Sequence, residues 1–445
     1  MFQTEGFRKY FRNTSWMFAD RVVRLGAVLV TGIFMARYLK PVGFGQLNYA
    51  SGFVGLFFAL TSMGLDEIVV RDLIRHPEKR DSILGSAALL KFCGALVLML
   101  VVFTGTFINH MTDYTTMMVM IIALSELAKP AMVIDYYFQS QVMGKRSAMV
   151  NILQTIAASG YKLALVAMHA PLMWFAWSYL VEMLIFTIVS IYYYERHGLA
   201  LRAWRASKEM FMHLLEQSWP LIIFGVALFV QARIDQVMIF DVLKHTIGPE
   251  RANAEVGQYS VALKMIEALG FLPVIVQKSL APAITRARLE DPAKYEDRLL
   301  NQYRLMFLMF LVTAIPLYFL AHPIIVWFYG SEYDTAGILL GLFAIRLFFT
   351  NMGVGKTSFI TNESLFKYSL TTAIVGAGLN IAINYYLIPY YQALNGSGSE
   401  GAIWATIISF FISIFVLDLF FKSTRRNFVW MVKGIATFWK FHRAR

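Results

Sequence analysis

The sequence is poor in what soluble proteins carry in quantity. Only 15% of its 445 residues are charged, and it holds eight histidines and a single cysteine, Cys93. One cysteine excludes a disulfide framework within the chain, and no Cys/His spacing fits a metal ion. No Ser/His/Asp set stands out. Connections between apolar stretches are short: the longest, near 195–217 and 283–302, run to about 20 residues, too few for a separate catalytic domain. Gly353-Val354-Gly355-Lys356-Thr357-Ser358 resembles the end of a phosphate-binding loop. However, Thr350 stands where that pattern needs glycine, and an apolar run replaces the preceding strand, so ATP binding there is excluded.

What is present is apolar: 58% of the residues are hydrophobic. A bilayer core needs roughly 20 apolar residues per helix, and about twelve stretches qualify. They lie near 15–38, 44–65, 83–108, 117–140, 149–168, 171–194, 218–241, 255–282, 303–321, 334–358, 367–388 and 401–421. The expected fold is all-α and membrane-integral. The first stretch lacks a small-residue cleavage site, which reads as a span rather than a cleaved signal.

The formal charge of +12 comes from 40 Lys and Arg against 28 Asp and Glu, and their placement argues against nucleic acid. Twenty-six cations lie at the termini and in every second connection, whereas the alternate connections hold only Lys40, Lys244 and Arg251. By the positive-inside rule this asymmetry predicts both termini on the cytoplasmic side. Cations at such helix ends meet anionic headgroups.

The chain also repeats itself. Phe44-Gly45-Gln46-Leu47-Asn48-Tyr49-Ala50 is echoed by Val256-Gly257-Gln258-Tyr259-Ser260-Val261-Ala262, and His76-Pro77-Glu78-Lys79 by Asp291-Pro292-Ala293-Lys294. Two six-helix bundles follow, 1–194 and 218–421, with an amphipathic linker at 195–217 and a basic tail at 422–445. An even helix count per half predicts parallel repeats, with a substrate site between them. Leu201, Trp204, Phe211, Met212 and Leu215 share a helical face, as do Phe428, Met431, Val432, Ile435, Phe438 and Trp439. Both stretches read as helices lying in the headgroup layer.

Eleven cations fall inside apolar stretches. A central Lys or Arg costs about 2.5–3.5 kcal/mol, so each needs a partner or a wet cavity. Arg37, Lys91, Lys278 and Lys356 lie near helix ends and can snorkel. Lys129 and Lys264 have Glu126 and Glu267 three residues away. Arg24, Arg346, Lys162 and Arg233, with Arg21 beside Asp20, are the candidates for a cationic cavity that would take an anionic ligand such as a diphosphate. Pairing with Glu182, Asp235 or Asp135 is the alternative. The intramembrane acids Asp235, Glu182, Asp135, Glu267 and Asp418 are candidates for H⁺ or Na⁺ coupling, and the sequence does not choose among them.

Four stretches then resemble the Wzx-type polysaccharide flippases of the multidrug/oligosaccharidyl-lipid/polysaccharide (MOP) exporter superfamily. They are Ala36-Arg37-Tyr38-Leu39-Lys40-Pro41-Val42-Gly43-Phe44-Gly45; Gly64-Leu65 through Val70-Arg71-Asp72-Leu73 with Ile83-Leu84-Gly85; Asp135-Tyr136-Tyr137-Phe138-Gln139 with Gly144-Lys145; and Leu379-Asn380, Asn384, Ile388-Pro389 with Gly401-Ala402 and Ala405-Thr406. Lys40 departs from the glycine usual in that family, and Ile403-Trp404 from its small-residue run. The resemblance implies a MOP-type fold, no enzyme activity and no cofactor beyond a coupling ion. It also implies a bacterial inner-membrane location and a substrate of undecaprenyl-diphosphate-linked oligosaccharide for surface glycans such as O-antigen. Membrane lipids and other glycan-assembly proteins are the implied partners. A multidrug extruder of the same superfamily is the rival reading, and a membrane glycan polymerase or ligase a more distant one.

Overall fold

A computed structural model describes the backbone of residues 5–440, and the side chains of Trp16 and residues 19–440. The terminal cations Arg8, Lys9, Arg12, Arg443 and Arg445 therefore have side chains outside the described residues. All described regular structure is helical, in the order α1 (Glu5–Gly55), α2 (Ala59–Ser62), α3 (Leu65–Arg75), α4 (Arg80–Ile108), α5 (Asp113–Leu124), α6 (Val133–Ser140), α7 (Gly144–Ala167), α8 (Leu172–Glu195) and α9 (Lys208–Leu243). There follow α10 (Pro249–Leu269), α11 (Phe271–Glu290), α12 (Pro292–Tyr329), α13 (Asp334–Asn362), α14 (Phe366–Asn395), α15 (Gly398–Phe411), α16 (Leu417–Phe420) and α17 (Arg425–Ala436).

Among the described residues, 11 helical runs are long and apolar enough to cross a membrane. The twelve expected stretches map onto them because the first two form one run, Ala19–Gly55, bent at Lys40. The chain is a multi-pass membrane protein. Side chains such as Leu100, Ile188, Phe319 and Trp327 lie open on its surface, where hydrocarbon rather than water suits them.

The chain divides into two compact units: residues 1–39 with 46–233, and residues 40–45 with 234–445. Unit one has a core of Leu65, Ile68, Val69, Leu84, Val133, Phe138 and Phe186, among others. The stretch expected to float in headgroups belongs to that core. Leu214 is fully buried, and Leu201, Trp204, Phe211 and Leu215 pack around it. Residues 204–207 are not helical. They are stitched to the start of α4 instead: Arg205 N–H donates to the Asp81 carbonyl (3.2 Å), and Ser207 N–H to Ser86 Oγ (3.1 Å). An apolar helical face needs a cover, and here the cover is protein.

In unit two, part of the tail packs on protein as well. α17 buries Asn427, Met431 and Gly434, with Gly434 set close against Tyr303 of α12. Phe438 packs on Phe307, with ring centres 5.4 Å apart. Lys356 does not snorkel. It is 4% exposed and pairs with Asp418 at 2.7 Å, while Asp418 also accepts from Asn427 Nδ2 (2.9 Å) and Tyr368 Oη. Lys91 of unit one is equally buried and donates to the carbonyls of Thr61 (3.0 Å) and Ser62 (3.2 Å) at the end of α2.

Both landmarks of the sequence repeat have local roles. Pro77 and Pro292 each open a helical turn, where a missing N–H costs nothing, and Asp291 Oδ1 caps α12 by accepting from Ala293 N–H at 2.8 Å. Gly45 and Gly257 permit one backbone crossing. A methyl group at Gly45 would collide with the Asn253 carbonyl, and one at Gly257 with that of Pro41. Gly257→Val should therefore lower the thermal unfolding midpoint and the yield of monodisperse protein in detergent. Gly160→Ala in α7, where a methyl meets nothing within 4 Å, should leave both unchanged or raise the midpoint. Equal behaviour of the two variants would contradict the crossing.

Candidate functional site

The cationic candidates divide by whether a carboxylate holds them. Arg24 forms an ion pair with Asp20 one helical turn away, although its Nε and Asp20 Oδ1 lack partners. Arg21, an exposed neighbour, also lies within electrostatic reach of Asp20. Lys162 of α7 is paired with Glu182 of α8 at 2.6 Å, and Gln154 Nε2 donates to the same carboxylate at 3.1 Å. Arg233 is half-buried, packs its Cγ on Gly55 and is engaged in further interactions. Arg346 differs from all of these. Its guanidinium makes no hydrogen bond or ion pair among the described residues, and its Nε is buried. It lies 5.5 Å from the ring centre of Phe343 and 5.2 Å from that of Phe410. Cation–π contact with two rings offsets part of its desolvation, by roughly 2 kcal/mol or more in a dry setting.

The acids divide the same way. Glu182 is tied to Lys162. Asp135 of α6 accepts from Gln139 Nε2 (2.8 Å), leaving Oδ1 buried without a partner, and it lies within electrostatic reach of Asp20. Glu267 is engaged with other groups and lies within electrostatic reach of the Tyr259 hydroxyl.

Asp235 of α9 is 4% exposed, and all its direct partners are neutral. Tyr259 Oη of α10 donates to Oδ2 at 2.5 Å, Thr406 Oγ1 of α15 to Oδ2 at 2.6 Å, and Asn384 Nδ2 of α14 to Oδ1 at 2.8 Å. Behind them, Asn380 Nδ2 donates to Thr406 Oγ1 (3.2 Å) and Asn384 Nδ2 to Asn380 Oδ1 (3.3 Å). Asn384 Oδ1 is buried and unpartnered. Three helices of unit two thus converge on a carboxylate carried by the C-terminal part of α9, which also lies in unit two.

Three hydrogen bonds to a charged acceptor, worth about 1.5–3 kcal/mol each, can hold the anion against a desolvation cost of several kcal/mol. The arrangement leaves a net negative charge that a proton or a small cation would cancel. Arg346 is within electrostatic reach of Tyr259, so the unpaired cation and the unpaired acid share one neighbourhood of unit two. In the sequence, Asp235 is one of several intramembrane acids and nothing local distinguishes it. Two of its donors, Asn384 and Thr406, fall in one signature stretch of the sequence, which is the only local signal of the cluster.

The sequence profile of the polysaccharide biosynthesis protein family matches residues 10–288, more than half of the chain. The chain belongs to that family. No curated protein matches this member by sequence. Its fold is like that of solved transporters, among them one of the MOP superfamily. The lipid II flippase MurJ, in an inward closed conformation, superposes with a TM-score of 0.65 at 15% identity over 96% of this chain and 92% of its own. A eukaryotic MATE transporter gives 0.62 at 10% identity over 97% and 100%. A multidrug resistance MATE family transporter of the MOP superfamily, in an inward-facing conformation, gives 0.60 at 15% over 95% and 96%.

If Asp235 organises four helices in this family member, its removal should be structural as well as functional. Asp235→Leu strands three buried donors at about 1–3 kcal/mol each, so thermal denaturation in detergent should show a large loss of stability. Asp235→Asn, which still accepts, should lose less. Equal midpoints for Asp235→Leu and the unmodified protein would remove the cluster from this role.

Proposed function

We propose that this family member is a MOP-type flippase, a transporter and not an enzyme. It moves undecaprenyl-diphosphate-linked oligosaccharide from the cytoplasmic to the periplasmic leaflet of a bacterial inner membrane. Membership in a polysaccharide biosynthesis family supports a glycan pathway, and the MOP fold supports transport. The observation that carries the anionic substrate is Arg346, an intramembrane guanidinium with no carboxylate to neutralise it. A diphosphate can take two parallel N–H bonds from such a group. A sugar diphosphate head is costly to drag through hydrocarbon, so a polar route lined by cations is needed while the prenyl tail stays in lipid.

In this reading Arg346 is the primary phosphate contact. Arg24 and Lys162 serve a cationic cavity only if substrate displaces Asp20 and Glu182, with Arg233 and Arg21 as further contributors. Alternating access exposes the cavity to each side in turn. Asp235 is the coupling acid, because its partners are neutral and a bound H⁺ or Na⁺ would cancel its charge. Rotating the Asn384 amide would turn its orphaned oxygen toward such a cation. Glu182 is neutralised by Lys162 and Glu267 is engaged with other groups; Asp135, whose one hydrogen bond comes from a neutral amide, ranks behind Asp235 because fewer donors hold it. Both chain termini lie on the cytoplasmic side in this reading, which follows the asymmetry of basic residues.

The test is translocation of a labelled lipid-linked oligosaccharide by the purified chain in proteoliposomes. Arg346→Gln should reduce the rate about tenfold to a hundredfold, the equivalent of one lost charge-assisted pair, with insertion unchanged. Asp235→Asn should abolish the response to an imposed ion gradient. Full activity in Arg346→Gln would overturn the phosphate contact. In a host lacking the chain, normal surface glycan with altered drug tolerance would favour the multidrug extruder.

A further inference from the structure

Unit two contains a second feature that the Asp235 site does not use. Where the turn between α13 and α14 meets Phe421, just beyond α16, an open cavity of about 580 Å³ is lined by Leu365, Phe366, Lys367, Tyr368, Thr371 and Phe421. That volume lies within the range of small-molecule sites, roughly 300–1,000 Å³. Lys367 is exposed, and its ammonium makes no hydrogen bond or ion pair among the described residues. The arginines at this end are occupied. Arg288 binds Glu363 at 3.1 Å, Arg426 pairs with the same acid, and Arg425 Nε donates to the Leu419 carbonyl at 2.8 Å.

The walls are aromatic. Phe366 is 63% exposed, and Phe421 lies with its ring centre 5.0 Å from that of Tyr368. The floor is fixed. Tyr368 Oη donates to Asp418, whose partner Lys356 also donates to the Ile414 carbonyl at 3.0 Å inside a π-helical turn, Ile412–Val416. A buried ion pair held by Tyr368, Asn427 and the Ile414 carbonyl does not collapse to fill a gap, so the cavity is built into the fold.

We propose that this cavity binds one anionic glycerophospholipid, its phosphodiester against Lys367 and the first part of an acyl chain against Phe366 and Phe421. The charge and the walls select this class. Lys367 repels cations and the amine of a zwitterionic headgroup. A free inorganic anion would gain only one exposed ion pair, worth about 0–1 kcal/mol, and nothing from the aromatic walls. A diphosphate carrier brings more negative charge than one ammonium can match. A phosphodiester with a single charge fits, and basic pockets among membrane helices commonly take such headgroups. Occupancy would steady Tyr368, and through it the Asp418 network that holds α17.

The experiment uses the full chain, stripped of lipid in detergent and titrated with phosphatidylglycerol, phosphatidylcholine or inorganic phosphate. Adducts are counted by native mass spectrometry and the thermal midpoint is measured in parallel. Phosphatidylglycerol should be retained about tenfold better than phosphatidylcholine and should raise the midpoint by a few degrees, the scale expected of one charge-assisted contact. Lys367→Gln should abolish that preference, Phe421→Ala should weaken it, and Lys294→Gln, an exposed cation away from the cavity, should leave it intact. Equal retention of the two lipids, or a preference unchanged in Lys367→Gln, would overturn the site. Equal protection by inorganic phosphate would show a plain anion site and defeat the lipid assignment. None of these readouts depends on transport, so the flippase reading and the lipid site can fail separately.

Discussion

The constraint beneath this structure is the cost of placing a charge where water cannot follow. In hydrocarbon, a Lys, Arg, Asp or Glu must be paired, bonded to backbone carbonyls, or left facing something polar. The chain uses all three solutions. Lys356 with Asp418, and Lys162 with Glu182, are pairs between helices. Lys91 ends on the carbonyls that α2 leaves free at its last turn. Each solution also fixes packing, because a buried ion that loses its partner costs about 3–5 kcal/mol, more than most apolar contacts. Charges here act as pins between helices, and the apolar surface around them is left to lipid.

That logic explains which contacts were legible in the sequence. Pairs within one helix turn could be read directly: Asp20 with Arg24, and Glu126 with Lys129 at 2.8 Å. Pairs between helices could not, because a helix carries a spacing code only for its own faces. Lys356 was therefore expected at the membrane interface, whereas it is buried against an acid on a distant helix. Asp235 was one acid among several for the same reason. Its three donors come from three different helices, and no local pattern announces their convergence.

Amphipathicity misled in a related way. A helical face of apolar residues states that a cover is required and says nothing of what supplies it. Phe211 and Leu215 are covered by the core of unit one, and Met431 by its own unit's helices. The span pattern was robust because length and hydropathy are properties of a segment alone. Only the join of the first two spans was hidden. There Lys40 adopts φ 58°, ψ 170°, a conformation reached essentially by glycine, ahead of Pro41. Its side chain pairs with Glu332 at 2.7 Å, but both partners are more than half exposed. Strain of about 1–3 kcal/mol exceeds what such a pair returns, about 0–1 kcal/mol, so stability alone does not account for a lysine at this bend.

Among the described residues, Arg346 and Asp235 of unit two are two charges that no ion pair pins. They are opposite in sign and close to the same tyrosine, yet no ion pair joins them. Direct pairing would have been the cheap solution, and it would have silenced both. Kept apart, each would, under the proposed function, be satisfied by a different visitor: an anion at Arg346, and a proton or small cation at Asp235. Placing the anion beside an uncancelled Asp235 costs electrostatic energy, and so does placing the cation beside an uncancelled Arg346. Each ligand therefore favours the other, and by thermodynamic linkage the factor is the same in both directions. In the proposed flippase reading, this reciprocity would let an ion gradient drive a charged head group, and two side chains of unit two, both within reach of Tyr259, would supply it.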